Sequence, residues 1–130
     1  MKVLLDTHFL VWLMNAPEKI SLRERAAIDA AESLHLSVIS FWELRAKWRA
    51  YDRHGQRKGE VDPMIAVAYA ERSGLPVLPL TAGDTAVKLN PPVPHKDLFD
   101  EMLLVHARRL GARLLTRDDK LSGHPQALQL

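Results

Sequence analysis

The chain opens Met1-Lys2-Val3-Leu4-Leu5-Asp6-Thr7-His8, a short apolar run that stops at a carboxylate. A second apolar segment, Phe9-Leu10-Val11-Trp12-Leu13-Met14, follows at once. The pair fits a buried strand turning into a helix better than one long element, because a strand covered on both faces reads as a short continuous apolar run. Asp6 then stands at the strand's carboxyl end, the edge of an open α/β sheet where ligands and reacting groups gather. Taken alone, Asp6 could equally well cap the following helix. Its meaning depends on what else reaches that edge.

Moving outward, Pro17 breaks the first helix, and Ser21 with Glu24 three residues on opens a second that runs to about residue 32. Residues 34–40 read as a second buried strand ending in a serine. Ser40 then caps a third helix with Glu43 as its box partner, and Phe41, Leu44, Trp48 and Tyr51 mark its apolar face. Asp62 and Pro63 open a fourth helix that Gly74 stops, and residues 75–80 form a third strand. Another helix begins near Thr81. The stretch Asn90-Pro91-Pro92-Val93-Pro94 can be neither helix nor central strand, and it delivers Asp97, Asp100 and Glu101 to the start of a helix that Gly111 ends. Residues 112–115 are a fourth strand, stopping at Thr116-Arg117-Asp118-Asp119. This alternation predicts a parallel sheet with helices on both faces, a three-layer α/β/α fold in a single domain over residues 1–130.

Composition narrows the chemistry. The 130 residues suffice for one domain with a real core, and 47% hydrophobic with 26% charged residues is ordinary for a globular protein. No apolar run approaches the ~20 residues of a spanning helix, and no signal-peptide pattern opens the chain, so a cytoplasmic location is expected. Zero cysteines exclude disulfides, thiol nucleophiles and cysteine-rich zinc sites. The six histidines show no i, i+4 pair, which argues against a histidine zinc site, and most are expected at the surface or in loops. A net charge of +2 and a pI near 9.1 permit a polyanionic partner without demanding one.

Two strands end in acids, Asp6 and Asp118; if they are neighbours, their carboxylates meet at one sheet edge. Helical spacing places Asp100 beside Leu103, Leu104 and Ala107, on the core-leaning side of its helix. Asp97 has a sufficient explanation as that helix's cap, and Asp119 as a turn residue. Clustered carboxylates repel one another and either take up protons or bind a cation. Oxygen-only donors favour Mg²⁺ or Mn²⁺ over Zn²⁺. Such an ion in a mildly basic protein points to phosphodiester hydrolysis by a metal-activated water, leaving a 5′-phosphate and a 3′-hydroxyl.

The motifs Leu5-Asp6-Thr7-His8, residues 37–44, Asp97-Leu98-Phe99-Asp100 and Thr116-Arg117-Asp118 together resemble the ordered acidic motifs of PIN-domain ribonucleases, specifically the VapC-type toxins of toxin–antitoxin pairs. The resemblance covers essentially the whole chain. It implies that Asp6, Glu43, Asp100 and Asp118 are the metal-binding, catalytic acids, that Thr7 and Thr116 support them with hydroxyls, and that Asp97 assists. It also implies a Mg²⁺-dependent endoribonuclease, a homodimer, and a small antitoxin that blocks the site. The chain departs from the family pattern in the third motif, with Leu98 where proline is common and Glu101 where arginine is common.

A basic segment holds Arg45, Lys47, Arg49, Arg53, Arg57 and Lys58 with Asp52 as the sole opposing charge. It reads either as a solvated helix face or as a phosphate-tracking patch, with Arg45, Lys47, Arg49 and Arg53 as the RNA-binding candidates, Arg49 and Arg53 one helical turn apart, and Trp48 and Tyr51 in the core. Two other readings compete. A haloacid-dehalogenase-type phosphatase would place a second aspartate two residues after the first, where this chain has His8. A catalytically weak or inactive PIN-fold RNA-binding module would keep the basic patch and lose the metal.

Overall fold

The computed structural model describes residues 1–93 and 97–130, so Pro94, His95 and Lys96, including the end of the proline-rich stretch, lie outside the described residues. Strands β1 (Lys2–Leu5), β2 (Ser33–Ser37), β3 (Val77–Leu78), β4 (Ala112–Leu115) and β5 (Ala127–Leu128) form one parallel sheet in the order β3-β2-β1-β4-β5. Helices α1 (Thr7–Asn15), α2 (Leu22–Ala30), α3 (Val38–Trp48), α4 (Pro63–Ser73) and α5 (Leu98–Leu110) connect them. β1 is central and pairs with β4 along its whole length, Lys2 opposite Ala112 through Leu5 opposite Leu115. The two acid-tipped strands are therefore neighbours, in register.

Strand alternation divides the core between two faces. Val3 and Leu5 pack with Phe9 and Leu10 of α1, Phe41 and Leu44 of α3, and Ala66 and Ala70 of α4. Leu4 and Leu114 face the other way, onto Leu103, Leu104 and Ala107 of α5. This is the three-layer arrangement. Fully burying a leucine is worth roughly 2–3 kcal/mol; Leu4, Leu103, Leu104 and Leu114 are all at 0% exposure, so α5 is firmly seated under the sheet.

The helix termini follow local chemistry. Ser21 accepts from the Glu24 N–H while Glu24 accepts from the Ser21 N–H, a reciprocal box at the start of α2. Asp62 caps α4 ahead of Pro63, and Gly74 and Gly111 end α4 and α5 in the left-handed conformation.

Several expectations are corrected. β2 ends at Ser37, and Ser37 rather than Ser40 caps α3, through an Ile39 N–H bond of 3.0 Å. The apolar run Val38-Ile39 suits a strand or a buried helix start, and Ile39 packs on α5 in the helical register. Helix α3 stops at Trp48, where Asp52 folds the chain back by accepting from His54 and Gln56. Arg53 therefore lies in a loop and not a helical turn from Arg49. Tyr51 is exposed and Trp48 half-buried, with Arg57 over both rings at 5.0 and 4.1 Å. Near Thr81 there is only a short 3-10 turn over Gly83–Ala86, and β5 had no counterpart in the sequence reading. Among the described histidines, His8 and His54 are exposed and His124 lies in a loop, as expected of most, while His106 is wholly buried within α5.

Candidate active site

Asp6 follows β1 directly and is 5% exposed. Its Oδ1 accepts from the Thr7 N–H at 2.7 Å, which caps α1, and its Oδ2 accepts from the Thr116 hydroxyl at 2.6 Å. Capping and site membership are thus compatible: one oxygen serves each. The Thr116 hydroxyl in turn accepts from the Asp118 N–H at 3.1 Å, so the turn after β4 is tied to the acid after β1. Burial pushes the Asp6 carboxyl above its ordinary range, against the lowering effect of these two hydrogen bonds.

Asp100 reaches the same edge from the first turn of α5. Asp97 positions that turn by accepting from the Phe99 and Asp100 N–H groups at 2.9 and 3.1 Å, as a cap should. Asp100 is 8% exposed, and burial together with the nearby charges of Asp97, Asp6 and Asp118 pushes its carboxyl up to about 8. Part of that rise comes from a side-chain hydrogen bond with Asp118, in which one carboxyl must carry the proton. Asp100 thus feels the charges of Asp6 and Asp118, which reach it from two other elements.

Glu43 completes the cluster from α3. Its Oε1 accepts from the Thr7 hydroxyl at 2.8 Å, its Oε2 meets Lys47 Nζ at 2.9 Å, and its charge raises the Asp6 carboxyl. The Ser40 hydroxyl lies 3.0 Å from Thr7 Oγ1 and donates to it, since the single Thr7 proton goes to Glu43, so Ser40, expected as a cap, instead supports Thr7 from inside α3. Each of the four acids is brought to one sheet edge, and each threonine holds one of them.

These are oxygen donors alone, and the neighbouring carboxylates add to the burial that raises Asp6 and Asp100, which fits a hard divalent cation. Among the described residues no three His, Cys, Asp or Glu side chains already stand at chelating distance from one point. The hydrogen bonds explain this, since Asp6 and Glu43 are turned to threonine and lysine donors, and Asp118 Oδ1 accepts from the Lys120 N–H at 2.9 Å. Small rotations of carboxylates already in place would be needed.

The basic candidates separate. Arg45 and Arg49 line a groove of about 940 Å³ between α3 and α4, with Trp42, Trp48 and Met64. Lys47 is turned to Glu43, and Arg53 is exposed in the loop beside His54. Arg57, which was not a candidate, covers the two aromatics. A second, more apolar cleft of about 740 Å³ runs from Trp42 to Leu98, Phe99 and Asp97, beside the acids.

A separate buried network was illegible in the sequence. His106, wholly buried on α5, bonds Ser37 Oγ through Nδ1 at 2.8 Å and Asp84 Oδ2 through Nε2 at 3.0 Å. Arg109 holds both Asp84 oxygens at 2.7 and 3.0 Å. Burial pushes the Asp84 carboxyl up, but the Thr81 N–H and Arg109 outweigh it and hold it at about 2. Burial lowers His106, so the neutral ring accepts from Ser37 and donates to Asp84. Ser37 is wholly buried and reaches no substrate, so the serine–histidine–aspartate order here ties β2 and α3 to α5 and does no nucleophilic chemistry.

Comparison with known proteins agrees with the architecture. Ribonuclease VapC22 of Mycobacterium tuberculosis is 30% identical over 122 residues, covering 94% of this chain and 91% of the relative. Among solved structures, VapBC2 from Rickettsia felis bound to a DNA fragment from its promoter superposes with a TM-score of 0.63 at 15% identity, covering 100% of this chain and 98% of that one. VapBC-1 from nontypeable Haemophilus influenzae gives 0.60 at 20% identity, covering 100% and 97%. At those identities the structures speak for the fold. The PIN domain family model matches residues 3–125, and the chain belongs to the PIN domain family.

Proposed function

We propose that this protein is an endoribonuclease that depends on a divalent cation, Mg²⁺ or Mn²⁺, and acts as the toxin of a toxin–antitoxin pair. The observation that carries the reading is the meeting of Asp6, Asp100 and Asp118 at one sheet edge, with the Asp6 and Asp100 carboxyls pushed up by burial, in a chain related to a named ribonuclease. Asp6, Asp100 and Asp118 would hold the cation, with Glu43 alongside. When bound, such an ion activates a water and offsets charge on a reacting phosphodiester.

The remaining work falls to the chain itself. Thr116 and the Thr7 N–H hold the two Asp6 oxygens at the cluster, so that only a small rotation separates this carboxylate from a ligand's geometry. Thr7 and Lys47 hold Glu43 at the edge of the cluster, where it can accept a proton. Arg45 and Arg49 are placed to bind phosphates of an RNA strand lying along the groove between α3 and α4. A cognate antitoxin belongs to the same reading, supported by the toxin–antitoxin complexes among the structural relatives, and a homodimer belongs to it through the resemblance of the motifs alone. No helix among the described residues is long and apolar enough to cross a membrane, in keeping with the cytoplasmic setting proposed here.

The test is cleavage of RNA by the purified protein, free of antitoxin, with Mn²⁺ or Mg²⁺. We expect cleavage that EDTA abolishes and that Asp6→Asn lowers by about a hundredfold or more, the scale of losing one main charge-stabilising contact. Wild-type cleavage by Asp6→Asn would sink the site assignment. Binding of RNA without divalent-dependent cleavage would favour a non-catalytic RNA-binding module.

A further inference from the structure

Arg117 sits between two residues of the acidic edge yet sends its charge elsewhere. On one side Thr116 donates to Asp6, and on the other Asp118 bonds with Asp100. The Arg117 guanidinium itself meets Glu24 on α2, Nε to Oε2 at 2.7 Å and a terminal nitrogen to Oε1 at 2.5 Å. The same nitrogen reaches the Lys19 carbonyl at 2.5 Å, and the group stacks 4.4 Å from the Trp12 ring centre.

Most surface ion pairs hold little, because solvent screens them and both side chains stay mobile. This one differs in geometry. Glu24 is 2% exposed and is fixed by its own box with Ser21, so the fork has a rigid, buried acceptor on two oxygens. The aromatic ring beneath adds a third constraint. A three-residue turn held this way at its middle has little freedom at either flank.

We propose that Arg117 is a positioning residue: its fork on Glu24 clamps the turn after β4 so that Thr116 and Asp118 stay aimed at Asp6 and Asp100. The clamp also keeps the one cation within Thr116-Arg117-Asp118 occupied by Glu24 and away from the acids, where it would compete with a bound metal. This rests on the reading of those acids as a metal site. Outer-shell partners that orient ligands commonly change metal affinity 10–100-fold when lost, so a residue with no metal contact can still be legible in binding.

The experiment compares Arg117→Lys, Arg117→Met and Ser21→Ala with wild type. Hydrogen exchange at the Asp118 amide, whose N–H bonds to Thr116, reads the turn, and calorimetric titration with Mn²⁺ reads the site. Both Arg117 variants are expected to speed Asp118 exchange and weaken Mn²⁺ binding about tenfold, while Ser21→Ala, which loses the hydroxyl that caps α2 but keeps the residue-21 N–H bond that holds the Glu24 carboxylate, moves neither. Arg117→Lys retains the charge and the packing stem, so it stays informative if Arg117→Met does not fold. Unchanged Asp118 exchange in the Arg117 variants, or the same acceleration in Ser21→Ala, overturns the inference. Failure of wild type to bind Mn²⁺ overturns the metal reading instead, and exchange at Asp118 still decides whether Arg117 holds the turn.

Discussion

Asp100→Asn offers the sharpest test of how the acidic cluster is poised. The Asp100 carboxyl is held at about 8 against an ordinary 3.8, chiefly by burial and then by the charges of Asp97, Asp6 and Asp118. Between those two values the folded chain carries a proton that the unfolded chain has released. The slope of unfolding free energy with pH is then negative, about 1.4 kcal/mol lost per pH unit for one proton. From pH 6 to pH 8 that is at most roughly 2–3 kcal/mol, and water reaching the open edge of the sheet reduces it. A domain of this size loses about 3–5 °C of Tm per kcal/mol, so metal-free wild type should lose on the order of 5–10 °C relative to Asp100→Asn over that range. The measurement is Tm against pH in EDTA for both proteins, because the difference cancels other titrating groups such as His106. Adding Mn²⁺ should restore the wild type at pH 8 and leave Asp100→Asn unmoved. Parallel curves in EDTA would refute the argument, since they would mean that Asp100 titrates as an ordinary carboxylate.

Three further outcomes are expected. Asp84→Ala strands buried His106 and leaves Arg109 unpaired, so chemical denaturation should show a loss of about 2–4 kcal/mol, discounted because Arg109 is partly exposed. Glu24 and Asp84 are both held at about 2, Glu24 chiefly by its Arg117 bonds and Asp84 by Thr81 and Arg109 against burial, so the stability they contribute is complete above about pH 5 and is lost as pH falls from there toward 2; acid unfolding followed by circular dichroism should shift in Glu24→Gln. Arg45→Ala with Arg49→Ala should weaken RNA binding and lower the salt slope by about two charges, with Mn²⁺ affinity unchanged, whereas Lys47→Ala should have less effect on the slope because Lys47 is engaged by Glu43.

Much of this protein was legible in local order. The apolar run ending at Asp6, the Ser21–Glu24 box, Pro63 after Asp62, and the glycines after α4 and α5 each state an element boundary within a few residues, because capping and φ preferences act over one turn. Strand–helix alternation then left few topologies and made Asp6 and Asp118 the tips of two parallel strands, while the sheet order made those strands neighbours. The sequence stopped being decisive where two local solutions were close in energy. Val38-Ile39 could extend β2 or begin α3, and only packing on α5 chose the helix. Strand β5 has two residues and no periodicity; it exists because β4 offers an unpaired edge.

Tertiary structure alone decided the partners. Glu24 was readable as a cap, but its pairing with Arg117 spans 93 positions, and the bond between Ser37 and His106 spans 69. Such contacts depend on where the sheet brings chain segments together, and no residue type or spacing encodes that. The sequence by itself determined which acids could meet. The fold decided that Thr116 would hold Asp6, that Thr7 would hold Glu43, and that Asp100 would be buried deeply enough beside Asp118 to keep its proton near neutral pH. The physical reason is burial, which lifts the Asp6 and Asp100 carboxyls out of the ordinary range and which only the packed fold supplies.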